Sequence, residues 1–172
     1  REDFDPVDIA LQYENAGAVA ISCLTDEPFF GGSLEDLTRI HDAVSLPVLR
    51  KDFLIDPYQV WEARAAGADG VLLISELLNE GQLLDMLILA HELGMTSLVE
   101  AHDVEHLLGI LPHVGFPHPG YCLLGVNNRN LRTMKTDPDH VLRMLDMAED
   151  HIDVLVCESG IRTRDDIDRL RS

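Results

Sequence analysis

The segment Ala65-Ala66-Gly67-Ala68-Asp69-Gly70-Val71-Leu72-Leu73-Ile74 decides the fold class. Its first half reads as the end of a helix, with Gly67 placed to take the left-handed conformation that closes a helical C-terminus. Its second half is apolar at every position from Val71 to Ile74. A strand with one wet face alternates apolar and polar residues, so an unbroken apolar run marks a strand covered on both faces, as in a parallel sheet flanked by helices.

The same signature repeats along the chain. Cys122-Leu123-Leu124-Gly125-Val126 is a second unbroken run, and the predicted strands are Ala18–Thr25, Pro47–Phe53, Gly70–Ile74, Thr96–His102, Tyr121–Asn127 and Asp153–Glu158. Their starts lie about 23 to 32 residues apart, the length of one βα unit. Amphipathic stretches fill the gaps at Leu34–Val44, Tyr58–Ala66, Glu80–Leu93 and Pro138–Glu149, and Asn15-Ala16-Gly17-Ala18 and Glu92-Leu93-Gly94-Met95 repeat the helix ending. Strict alternation without a GxGxxG or P-loop leaves an open doubly wound sheet or a (β/α)8 barrel, and polar residues recurring at strand ends favour the barrel. The proline-rich stretch His113–Gly120 reads as a loop insertion, so residues 1–172 are expected to form one partial barrel domain.

Composition narrows the partners. The 172 residues carry 31 acidic against 13 basic side chains, a formal charge of −18, which argues against nucleic acid and against an anionic membrane surface. No apolar run approaches the roughly 18 residues of a membrane span. Cys23, Cys122 and Cys157 are scattered within apolar runs and form no C-x-x-C pair, as expected of reduced, buried thiols in a cytoplasmic protein.

The chemistry is expected where polar residues interrupt the strands: Lys51 after Val48-Leu49-Arg50, Glu100 after Ser97-Leu98-Val99, Asn127 after Leu124-Gly125-Val126, and Glu158 after Leu155-Val156-Cys157. In a βα barrel these C-terminal strand ends converge on one mouth. Lys51 is one of only two lysines, and an apolar surround there is expected to depress its pKa and make it a proton donor near neutral pH. Glu100 and Glu158 would divide into a proton acceptor and an orienting partner. Glu158-Ser159-Gly160-Ile161, running into a helical pattern at Arg162–Arg171, offers an anion cradle or a plain glycine turn. His102-Asp103-Val104-Glu105-His106 matches an H-x-x-E-H metal pattern, but His102 should end a strand and Asp103 should cap the following helix, so no metal site is expected.

With these residues in place the chain resembles the indole-3-glycerol phosphate synthases over essentially its whole length. The resemblance rests on Ala20-Ile21-Ser22-Cys23-Leu24-Thr25 leading to Phe29-Phe30-Gly31-Gly32-Ser33, on Leu46-Pro47-Val48-Leu49-Arg50-Lys51-Asp52-Phe53, on Gly67–Ile74, on Leu98-Val99-Glu100, on Gly125-Val126-Asn127-Asn128-Arg129 and on Glu158-Ser159-Gly160-Ile161. It implies a cofactor-free carboxy-lyase of tryptophan biosynthesis, closing 1-(2-carboxyphenylamino)-1-deoxyribulose 5-phosphate to indole-3-glycerol phosphate with loss of carbon dioxide and water. It further implies Lys51 as general acid, Glu100 as base, and Asn127, Arg129, Glu158 and Ser159, with Gly160 in the turn, as holders of the ribulose hydroxyls and anionic ends. Phe30 and Phe53 match the apolar pocket for the anthranilate ring, although strand-end packing would explain them equally.

The chain departs from that pattern in two places: Asn130 stands where the family usually has Asp, and the proline-rich stretch before Gly120 lengthens one approach. The family's first strand, with its Glu-x-Lys pair, is expected before Arg1, and its last, with a Gly-Ser phosphate site, after Ser172. Six units then leave two open sheet edges, a route to association in a fragment, while the complete enzyme is expected to be a monomer. Two alternatives stay open. One is another phosphate-binding barrel such as a phosphoribosylanthranilate isomerase, which would need a Cys and Asp acid-base pair. The other is an incomplete, inactive barrel that binds a phosphorylated ligand or a partner.

Overall fold

A computed structural model describes residues 4–130 and 133–170. Helix α1 (Pro6–Asn15) leads into β1 (Ile21–Leu24), the short α2 (Glu27–Phe30) and α3 (Leu34–Ala43). Then come β2 (Val48–Lys51), α4 (Pro57–Ala65), β3 (Gly70–Ile74), α5 (Glu80–Glu92), β4 (Thr96–Ala101), α6 (Val104–Ile110), β5 (Cys122–Asn127), α7 (His140–Met144), β6 (Leu155–Glu158) and α8 (Arg164–Leu170). The six strands are parallel and pair in chain order, β1 through β6, curling into part of a (β/α)8 barrel. Every predicted strand is present: β3 spans the predicted Gly70–Ile74, and the other five are trimmed where the prediction included approach residues that lie outside the hydrogen-bonded ladder.

The helices begin and end where local chemistry dictates. Asp5, Asp26, Ser33, Asp56, Asn79 and Asp103 each accept a backbone N–H of the following first turn, with Gln59 and Gln82 completing reciprocal capping boxes. Gly17, Gly67 and Gly94 hold φ of 90°, 97° and 72°. At each, the amide of the glycine and that of the next residue bond back to the last helical turn, as in Gly67 N to Arg64 O at 3.1 Å and Ala68 N to Ala63 O at 3.0 Å. These three identical closures deliver the chain into β1, β3 and β4.

Side chains on alternate strand positions separate into two apolar clusters. The outward set, including Ile21, Val48, Val71, Leu73, Val99 and Leu124, is buried against the helices in the main core. The inward set is smaller: Leu72, Ile74 and Leu98, with Leu49, Phe53, Leu123 and Val156 around them. Above that inner layer the inward positions turn polar, which places the site.

Two segments differ from expectation. The stretch predicted as one helix over Pro138–Glu149 is helical over His140–Met144 and continues as tighter turns, Leu145–Met147 and Glu149–Val154. Its apolar spacing is still honoured, with Val141, Met144 and Ala148 buried, because periodicity specifies the buried face rather than the hydrogen-bond pattern. The four-residue α2 was not foreseen. It is built by Asp26 as cap, Pro28 in the first turn and Gly31 at φ 67°, and Gly32 lies so close to the Leu24 carbonyl that any Cβ would overlap it.

Candidate active site

Lys51, Asn127 and Glu158 end β2, β5 and β6, Glu100 is the penultimate residue of β4, and the four meet in one mouth. Lys51 Nζ lies 3.1 Å from Glu158 Oε2 and 3.4 Å from Glu100 Oε2. Asn127 Nδ2 donates to Glu100 Oε1 at 2.9 Å, fixing that carboxylate from its other side. The register explains the assembly: Glu158 pairs with Asn127, and Glu100 stands level with Gly125, so the missing side chain at Gly125 leaves space that Glu158 fills. A Cβ at Gly125 would collide with Glu158 Oε1.

The charges of the trio are set by competition. Burial lowers the Lys51 pKa, but the opposed charges of Glu158 and Glu100 and the hydrogen bonds to them raise it further, so the net shift is upward. This corrects the expected depression: Lys51 is enclosed by carboxylates rather than apolar groups alone, and stands ready as a fully protonated donor. Glu158 is pushed up to about 7, first by burial and then by the negative charge of Glu100, against the pull of Lys51. Its Oε1 is buried without a hydrogen-bond partner among the described residues, so Glu158 is the carboxylate of the two with a half-unsatisfied head.

Lys51, Glu100 and Asn127 line a cavity of about 330 Å³ together with Phe30, Phe53, Arg129 and Ser159. Phe30 and Phe53 form an aromatic wall, their ring centroids 6.2 Å apart, with Phe29 edge-on to Phe53 at the same distance. Phe30 is 38% exposed, which core packing does not explain. Arg129 joins Lys51 as a positive charge in the lining; its Nε is buried and makes no hydrogen bond among the described residues. A planar apolar group would fit against the phenylalanines and an anion against the arginine.

Gly160 stands outside this lining. Its φ of 82° and the 2.7 Å approach of a built Cβ to Thr136 Cγ2 give it a steric role in the turn, next to Ser159 at φ 65°. At the start of α8, just beyond the Glu158–Ile161 turn, the Arg162 and Thr163 amides both donate to Asp166 Oδ2, at 3.0 and 2.8 Å. The protein's own carboxylate fills that position.

A sequence model described as indole-3-glycerol phosphate synthase matches residues 1–172. The chain belongs to the indole-3-glycerol phosphate synthase family. It is 49% identical over 173 residues to the synthase of Rhodopirellula baltica, 51% over 172 to that of Neisseria gonorrhoeae and 45% over 170 to that of Carboxydothermus hydrogenoformans. These alignments cover 99–100% of this chain but 62–64% of the relatives, so the chain spans under two thirds of their length. Among solved structures it resembles a phosphoribosylanthranilate isomerase from Thermotoga maritima (TM-score 0.62, 18% identity, 96% of this chain and 78% of that one). It also resembles an N-acetylmannosamine-6-phosphate 2-epimerase from Clostridium perfringens (TM-score 0.60, 14% identity, 94% and 71%). These two likenesses concern the fold alone.

In this member of the synthase family the cysteines stand away from the cavity lining. Cys23 is 5% exposed in the outer core, and burial pushes its thiol up to about 11, so it is not placed to act as an acid-base group in the mouth. The H-x-x-E-H pattern also dissolves: Asp103 caps α6 by accepting from His106 N, while His102 turns its ring to the Asn127 carbonyl.

Sequence reasoning missed the scaffolding of the mouth. Gly125 was read only as part of an apolar run. Asn128, 1% exposed, donates to Ser159 O and Cys157 Sγ and accepts from Val141 N, tying β5 to β6 and α7. Its signal was a second polar residue directly after the strand-end Asn127. Arg50 was overlooked because a cation beside a candidate catalytic lysine draws no separate notice.

Proposed function

We propose that the protein carrying this chain catalyses the decarboxylating ring closure of 1-(2-carboxyphenylamino)-1-deoxyribulose 5-phosphate to indole-3-glycerol phosphate, without a cofactor. The observation that carries this reading is the placement of Lys51 Nζ between two carboxylates, at 3.1 and 3.4 Å, beside a cavity that Phe30, Phe53 and Arg129 also line. Membership of the family supports it.

In this reading the aromatic ring of the substrate lies against Phe30 and Phe53, and Arg129, Asn127 and Ser159 hold the hydroxyls and anionic end. Lys51 donates a proton to the ribulose carbonyl oxygen as the ring carbon attacks the carbonyl carbon. The new carbon–carbon bond forms, and carbon dioxide leaves with restoration of the aromatic ring. Solvent re-protonates Lys51, and the resulting hydroxyl then departs as water with this second proton while Glu100 accepts one from the newly formed ring. Holding both ends of a flexible chain in a bent pose supplies the remaining advantage. Glu158 holds Lys51 from behind and, with a pKa near neutral, keeps the trio from carrying two full negative charges. The reading carries with it a cytoplasmic enzyme, monomeric when complete, in keeping with three free thiols; no helix among the described residues is long and apolar enough to cross a membrane.

The test is the appearance of indole fluorescence when the full-length protein meets the carboxyphenylamino-deoxyribulose phosphate. Turnover is expected, with Lys51→Ala and Glu100→Gln each reducing kcat by about 10²–10⁴-fold while the circular dichroism spectrum is retained. No turnover by the full-length protein would overturn the reading in favour of an inactive ligand-binding barrel.

A further inference from the structure

Asn127 and Arg129 enter the cavity from the loop after β5, and a residue outside the cavity holds that loop from behind. His102 follows the last residue of β4. Its ring Nδ1 lies 2.8 Å from the Asn127 carbonyl oxygen, which can only accept, so Nδ1 carries the proton. Its Nε2 lies 3.1 Å from Asn130 Nδ2. The Asn130 amide is oriented independently, because its Oδ1 accepts from Thr133 N at 2.9 Å, and it therefore turns its N–H toward the ring. Nε2 accepts, and His102 is a neutral imidazole with both nitrogens engaged.

The rest of the residue is fixed as well. His102 N donates to Glu76 Oε1 at 2.6 Å, its carbonyl accepts from His140 Nε2, and the two histidine rings stack with centroids 4.8 Å apart. One residue thus ties the ends of β3, β4 and β5 to the start of α7. The Asn127 that it grips is the residue that donates to Glu100 Oε1 and accepts the Arg129 amide, both at 2.9 Å.

We propose that His102 is a positioning residue for the mouth. Its neutral ring, bridging the Asn127 carbonyl and the Asn130 amide, holds Asn127 and Arg129 in their substrate-facing arrangement. The bridge is geometric and stands apart from the reaction; only its kinetic consequence rests on the proposed function. Loss of the ring frees the Asn127 peptide and leaves Arg129 less well placed for an anion, while Lys51 keeps its own contacts to Glu100 and Glu158. The cost should therefore appear mainly in substrate binding.

Two arms test this in the full-length protein. Nitrogen-15 NMR of the histidine rings, with the His102 signals assigned by their loss in His102→Asn, should give the Nδ1–H tautomer; an Nε2–H tautomer or a freely exchanging ring overturns the proposal. In kinetics, His102→Ala should raise KM about tenfold, the worth of one buried hydrogen bond, with kcat changed by less than about threefold. His102→Asn, whose amide replaces the Nδ1–H donor, should recover most of that loss, and Asn130→Ala, which leaves the ring in place, should move KM in the same direction. An unchanged KM in His102→Ala, or a loss confined to kcat, overturns it. Should the unmutated protein show no turnover, the function reading fails by itself, and amide exchange decides the inference: the Arg129 amide should lose protection in His102→Ala, and unchanged protection overturns it.

Discussion

Arg50 and Lys51 follow one another on β2, one directed outward to the helices and the other into the mouth, and each is a cation set between two carboxylates. Arg50 is 3% exposed and spends its guanidinium on Thr25 Oγ1, the Gln59 carbonyl, Glu62 and Asp52, all at 2.8–3.0 Å. Asp52 is held in turn by Thr25 and accepts the Phe53 amide, so this outer cage fixes the strand end that carries Lys51 and Phe53. The Lys51 site is looser. Its contacts are 3.1 and 3.4 Å, one Glu158 oxygen has no hydrogen-bond partner among the described residues, and the lysine side chain is 31% exposed. A fully satisfied buried charge network holds geometry, whereas a partly satisfied one keeps protons that can move. The apolar clusters divide in the same way: twenty-seven buried residues among those described lie in the outer core, against three in the inner one. At roughly 1.5–3 kcal/mol per buried aliphatic side chain, stability resides mainly outside the sheet, and the polar mouth lies inside it.

The largest expected effect on stability follows from breaking the outer cage. Arg50→Ala leaves Asp52 and Glu62 facing each other without a cation and should cost on the order of 3 kcal/mol, read as a lower midpoint in urea unfolding. An unchanged midpoint would erase the distinction between the two faces. A smaller loss is expected from Gly125→Ala, where the added methyl displaces the Glu158 carboxylate: about 1–3 kcal/mol, together with a fall in kcat, because the inner trio is disturbed directly. Full activity in that variant would show that Glu158 needs no fixed seat.

A third effect is one of pH. Folding raises the Glu158 pKa from 4.5 to about 7, so folding favours its protonated form. That contribution to stability is complete below about 4.5 and is lost as the pH rises through about 7. The stability of the unmutated protein should therefore decline relative to Glu158→Gln between these values, measured by urea unfolding at a series of pH values. Parallel curves for the two proteins would mean that Glu158 ionises as freely as in an unfolded chain.

The strands and helix ends were legible because they depend on short-range rules: unbroken apolar runs, glycine closures after Ala66 and Leu93, and capping side chains such as Asp103. The four strand-end polar residues were legible for a related reason, since each breaks an apolar run at the position where parallel strands converge. The Lys51 pKa was read in the wrong direction because its sign depends on Glu158, 107 positions away, reaching across the mouth. Gly125, Asn128 and His102 were missed as site residues for a similar cause. Their work is to make room or to bind backbone on other elements, and such roles leave no periodic trace along the chain.

The most direct test exchanges the two neighbours while keeping every charge. Lys51→Arg and Arg50→Lys are compared in the full-length protein for kcat by indole fluorescence and for stability by urea unfolding. Arginine does not give up its proton in proteins, and lysine lacks the fork that serves the outer cage. Lys51→Arg should therefore lose kcat by about 10²-fold or more with its unfolding midpoint kept, and Arg50→Lys should lose stability with kcat kept. Turnover preserved in Lys51→Arg would contradict the assignment of Lys51 as the proton donor and reduce the inner site to an ion pair like the outer one.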